Sequence, residues 1–112
     1  MDMNRIAGEI AAAVAAEART MLSEKLDAVV LYGSCARGDC DAESDVDILV
    51  RIDCPASALR DYQRRFIELA AALSLEYGVE VSVSLVDTAT YGRYEAYLPY
   101  YENIEREGIR IA

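Results

Sequence analysis

The chain has 112 residues, 54% of them hydrophobic, and a formal net charge of −9. That length supports one domain with one core and excludes a catalytic domain joined to a template-binding domain. An acidic chain with a single lysine, Lys25, has no basic stripe for a phosphate backbone, so no direct nucleic-acid binding is expected. Three cysteines without a Cys-x-x-Cys pair and no histidine leave a disulfide framework, a zinc site and Cys-His catalysis unsupported. The amphipathic, acidic N-terminal segment does not read as a signal peptide, and no apolar run reaches the ~20 residues that span a bilayer. No membrane contact and a cytoplasmic location are therefore expected.

In chain order, residues 3–25 are alanine-rich, with Ile6, Ile10, Val14 and Met21 at helical spacing, and predict an amphipathic helix. Residues 28–32 form a short apolar, partly β-branched run that predicts a buried strand ending at Gly33, with Ser34 as the N-cap of a short helix. Asp39, Asp41 and Glu43 then read as a solvated acidic loop, and residues 46–50 as a second strand. Pro55 opens a helix whose stripe of Leu59, Tyr62, Phe66, Leu69, Leu73 and Tyr77 runs to Gly78, while Arg60, Arg64 and Arg65 lie off the stripe on a solvated face. A third strand is predicted over 79–86, short helices over 87–97 and 98–107 divided near Pro99, and an extended tail over 109–111. This order predicts one α/β domain over 1–112: two layers, a mixed β-sheet, and helices packed on one face.

The chemistry concentrates between residues 28 and 50. Gly33 permits close approach of a phosphate to the backbone. Ser34 adds a hydroxyl, and the free N–H groups of a helix starting there suit an anion. Ten residues later, Asp45 and Asp47 fall on one face of the second strand, opposite Val46, Ile48 and Val50. Two converging carboxylates repel unless neutralised, and hard oxygen ligands beside a phosphate cradle suit Mg²⁺ or Mn²⁺. On the third strand Val79, Val81, Val83 and Leu85 form the apolar face, leaving Glu80, Ser82 and Ser84 opposite. Glu80 is the one acid of that row and the candidate third carboxylate.

The Gly-Ser step, the ten-residue gap and the Asp-x-Asp pair resemble the nucleotidyltransferase superfamily related to DNA polymerase β, and within it the minimal single-domain branch called MNT. The segments Leu73-Ser74-Leu75-Glu76-Tyr77-Gly78 and Leu98-Pro99-Tyr100-Tyr101 to Glu107-Gly108 also look like small bacterial members. The resemblance implies that Gly33 and Ser34 bind a nucleoside triphosphate, expected to be ATP, and that Asp45 and Asp47 hold the metals. It places Arg37 in an Ala-Arg-Gly extension, supporting the phosphate loop or pairing with nearby acids. It further implies an antitoxin-like partner of a HEPN-family protein from a neighbouring gene, some relatives transferring AMP from ATP onto a tyrosine of that partner.

The expected function is thus transfer of a nucleoside monophosphate to a hydroxyl on a partner protein, with release of pyrophosphate. Two alternatives stand beside it: a non-catalytic antitoxin acting by stoichiometric binding, and the catalytic subunit of a small-molecule nucleotidyltransferase. Tyr91, Tyr94, Tyr97, Tyr100 and Tyr101 cluster near the C-terminus, where a protein interface, an adenine-stacking edge and ordinary packing are all open, packing being favoured.

Overall fold

The computed structural model describes residues 2–112. Helix α1 spans Met3–Leu22. Its first turn is held by Asp2, whose carboxylate accepts from the Arg5 N–H at 3.1 Å, and a 3-10 turn over Ser23–Lys25 follows it. Strand β1 is Leu26–Tyr32, helix α2 is the single turn Ser34–Arg37, and β2 is Val46–Ile52. Pro55 starts a 3-10 turn over Ala56–Ala58 rather than the helix itself. Helix α3 then runs Arg60–Tyr77 and is closed by Gly78 in the left-handed conformation (φ 68°). Strand β3 spans Val81–Asp87, followed by α4 (Thr88–Tyr94), α5 (Pro99–Glu107) and the two-residue strand β4 (Ile109–Arg110).

The sheet order is β3-β2-β1-β4, with β2 and β3 parallel and the other pairs antiparallel. The β2–β3 pair runs in unbroken register from Val46↔Val81 to Ile52↔Asp87. Alternation along β2 sends Val46, Ile48, Val50 and Ile52 into the main core, where they meet Ile6, Ile10 and Val14 of α1 and Phe66 and Leu73 of α3. Each such fully buried aliphatic side chain stabilises the fold by about 1.5–3 kcal/mol. The stripe on α3 is less deeply buried than its spacing suggests: Phe66, Ala70 and Leu73 are buried, whereas Leu59, Tyr62, Leu69 and Tyr77 are partly covered.

The two long helices share one face of the sheet, as expected. The two short ones do not join them. Leu49 and Val86 turn to the opposite face and pack with Tyr91 of α4 and Ile104 of α5 in a second, smaller core, flanked by Val30, Tyr32 and Tyr101. The physical reason lies in Leu49: within Ile48-Leu49-Val50 all three side chains are apolar, so the second face also has surface to bury. Helices α4 and α5 cover only part of that face, and what they leave open contains Asp47.

Candidate active site

Strand β1 delivers the chain to Gly33, which takes φ 75° and ψ −158°, a backbone conformation that L side chains rarely adopt. Gly33, not Ser34, is the N-cap of α2, and Ser34 is the first helical residue. The Gly33 carbonyl accepts from the Ala36 and Arg37 N–H groups at 3.1 and 3.3 Å, leaving the Ser34 and Cys35 N–H groups ahead of the first paired donor. Space at Gly33 is as restricted as its backbone: a Cβ there would stand 2.7 Å from Asp47 Oδ2. The turn at Gly33 and the second aspartate of the pair are therefore adjacent, and glycine is what allows it.

Asp47 lies in β2 between Tyr32 of β1 and Ser82 of β3, and Asp45 is exposed just before β2 begins. Burial pushes the Asp47 carboxyl above its ordinary value, and the charges of Asp45 and Glu80 push it further. No side-chain hydrogen bond or ion pair compensates Asp45 or Asp47 among the described residues. Cys35 ties the turn to this pair, its thiol donating to the Asp45 carbonyl at 3.6 Å. Burial, followed by the neighbouring Cys40, pushes that thiol up to about 12, which suits an anchor and not a nucleophile.

Glu80 sits in the turn before β3, exposed, its carbonyl accepting from the Val46 N–H at 2.9 Å. Its charge reaches Asp47, but among the described residues no three acidic, cysteine or histidine side chains converge as a ready-made metal cage. Ser82 holds the position beside Asp47 on β3. The donor set still fits Mg²⁺, which is commonly bound through one or two carboxylates plus substrate phosphates and water. A half-buried, uncompensated carboxylate beside a second acid and a tight glycine turn is the environment a divalent cation would relieve.

Arg37 is exposed and pairs with Glu107 at 3.3 Å and Asp39 at 3.8 Å. It also lines a pocket of about 180 Å³ with Tyr32, Gly33, Tyr100, Asn103 and Glu107. The Tyr32 and Tyr100 hydroxyls are 2.7 Å apart and their rings meet edge to face at 5.8 Å. Burial, then the Tyr100 hydroxyl, holds the Tyr32 phenol above its ordinary value, so it stays neutral. The tyrosine cluster thus divides. Tyr91 is buried in the second core, Tyr100 borders the pocket, and Tyr97 is 78% exposed. Tyr32 and Asn103 were not singled out in the sequence; Tyr32 was visible only as the residue preceding Gly33. Within the acidic loop, Asp41 accepts from the Glu43 N–H at 3.0 Å and the Ser44 hydroxyl at 3.2 Å.

Fold and site together define an α/β domain in which a glycine-led turn stands against an uncompensated pair of carboxylates. The chain belongs to the nucleotidyltransferase domain family, whose model matches residues 15–111. It is similar to two proteins of Methanocaldococcus jannaschii. The one named "Putative protein adenylyltransferase MJ0141" is 44% identical over 63 residues, which cover 56% of this chain and 62% of that protein. The one named "Putative protein adenylyltransferase MJ0604" is 32% identical over 84 residues, 75% of this chain and 76% of that protein. The matched segment therefore spans about six-tenths of the first relative's length. No helix among the described residues is long and apolar enough to cross a membrane.

Proposed function

We propose that this nucleotidyltransferase-family domain transfers AMP from ATP to a hydroxyl on a partner protein, the partner being a HEPN-family protein from a neighbouring gene. The observation that carries the reading is the contact between Gly33 and Asp47: the turn suited to a triphosphate lies within one Cβ of a carboxylate whose charge nothing in the fold offsets. The names of the two relatives support protein as the acceptor class.

In this reading Gly33 and the N–H groups of Ser34 and Cys35 hold phosphate oxygens, and the Ser34 hydroxyl adds a donor. Asp45 and Asp47 would hold Mg²⁺ or Mn²⁺, which when bound offsets phosphate charge and stabilises the departing pyrophosphate. The acceptor oxygen forms a bond to the α-phosphorus, the bond from that phosphorus to the bridging oxygen breaks, pyrophosphate leaves, and the hydroxyl proton passes to solvent. Such chemistry rests on alignment and electrostatics, so a chain without histidine can support it.

Ser82 favours a second reading. Where a third carboxylate would stand beside Asp47, this chain has a hydroxyl, as a stoichiometric, non-catalytic antitoxin that keeps a nucleotide site would tolerate. The two readings separate on the intact mass of the co-purified neighbouring-gene product after incubation with ATP and Mg²⁺. Transfer adds a nucleotidyl increment that Asp47→Asn reduces at least ~100-fold. A stable complex with no increment supports the stoichiometric reading instead.

A further inference from the structure

Strand β3 is an open edge of the sheet, seven residues long, with no bulge in its pairing to β2 and no lysine or proline along it. Edges of that kind are usually blunted. Because Val46 pairs with Val81 and the Val46 N–H bonds to the Glu80 carbonyl, the ladder to β2 uses Ser82, Ser84 and Val86. The N–H and C=O groups of Val83 and Leu85 turn outward. At the start of the strand the outward Val81 N–H is satisfied by the Ser74 hydroxyl at 3.0 Å. Val83 and Leu85 have no such partner among the described residues.

The two faces flanking this edge differ. On the helix side, Phe66, Ile67, Val83 and Leu85 line a groove of about 380 Å³ with Gln63, and Ile67 is 65% exposed. On the other side, Ser82 and Ser84 form a row of short side chains beside Asp47 and Leu49. Nothing bulky on β3 stands between the open edge and the carboxylate pair.

We propose that β3 is the docking edge for the acceptor: an extended segment of another protein adds to it as a fifth strand, with apolar side chains in the groove alternating with polar ones over the serine row. This rests on the proposed protein-directed transfer. The end of the segment that runs past Glu80 meets Glu80, Asp45 and Asp47, so basic residues suit it. The same charge disfavours a second copy of this chain, which would bring another −9 to the edge.

The test uses the full ¹⁵N-labelled chain and a short capped synthetic peptide in which valines alternate with polar residues, with lysines at one end. Saturating peptide is expected to slow hydrogen exchange at the Val83 and Leu85 amides at least ~10-fold. Val83→Pro, tolerated at an edge position whose N–H faces outward, and Ile67→Lys, at an exposed site, are each expected to weaken peptide binding about tenfold. Free exchange at Val83 and Leu85 under millimolar peptide, or binding insensitive to both substitutions, overturns the docking edge. Triphosphate binding is followed separately. Its absence alongside protected Val83 and Leu85 amides counts against the proposed transfer and leaves the docking edge standing.

Discussion

Two ends of one sheet face treat their acids in opposite ways. At the end formed by Asp27, Arg51 and Thr88, the Arg51 guanidinium bonds Asp27 at 2.6 Å and lies 4.5 Å from the Tyr91 ring centre, while the Thr88 hydroxyl donates to the same carboxylate at 3.0 Å. Burial pushes Asp27 up, but the Arg51 and Thr88 hydrogen bonds and the charges of Arg51 and Arg110 outweigh it and hold its carboxyl below the ordinary value. Asp87, only 3% exposed, behaves likewise: hydrogen bonds from Thr90, whose N–H donates at 2.9 Å, and from its own backbone N–H, with the charge of Arg93, together outweigh burial. At the other end Asp47 has burial, Asp45 and Glu80 all raising it, with no donor to answer them. An acid satisfied by the fold stabilises the fold; an acid the fold leaves unsatisfied is kept for something outside it.

Breaking either end separates the two roles. The largest combined loss of triphosphate affinity and stability is expected from Gly33→Ala, which forces a Cβ against Asp47 and a left-handed backbone onto alanine. Triphosphate affinity measured by calorimetry should fall by at least an order of magnitude, with a stability cost of about 1–3 kcal/mol by urea titration. Arg51→Ala removes the partner of Asp27 and the cation over Tyr91. It should cost about 1–2 kcal/mol, since the pair is partly solvated, while triphosphate affinity stays unchanged.

The pH dependence sharpens the contrast because the signs differ. The stability Asp27 contributes is present above the ordinary aspartate range and is lost as pH falls through its lowered folded value, so Asp27→Asn should flatten the acid limb of thermal stability. Asp47 binds its proton more tightly in the folded chain, so its ionisation costs stability as pH rises from the ordinary value through its raised one. Asp47→Asn should therefore leave the protein as stable or more stable at neutral pH, while nucleotide transfer is lost. The smallest change is expected from Ser82→Asp. A third carboxylate beside Asp47 should tighten Mn²⁺ binding by about tenfold and lower the melting temperature when no cation is added.

Much of this contrast was legible before the fold was known, because the site end is local in sequence. The turn at Gly33, the Asp45-x-Asp47 spacing and the serine row on β3 follow from strand alternation and a glycine after an apolar run, and the register confirms Ser82 beside Asp47. The satisfied end is not local. Asp27 and Arg51 lie 24 residues apart, and Asp27 and Thr88 lie 61 apart, so no periodicity joins them. The second core was hidden for a related reason: Leu49 sits inside an unbroken apolar run, and its partners Tyr91 and Ile104 come from two short helices far along the chain. The one-residue shift of the helix cap from Ser34 to Gly33 reflects a positive φ that only glycine at that position allows.

The measurement that bears most directly on the central claim is paramagnetic broadening of backbone amide signals on addition of Mn²⁺ with ATP. Broadening centred on Gly33, Asp45, Asp47 and Ser82, with Asp27, Asp87 and Thr88 unaffected, is the expected result. Broadening centred on the Asp27 and Thr88 end, or spread evenly over the acidic surface, would contradict the assignment of Asp45 and Asp47 as the cation-holding pair.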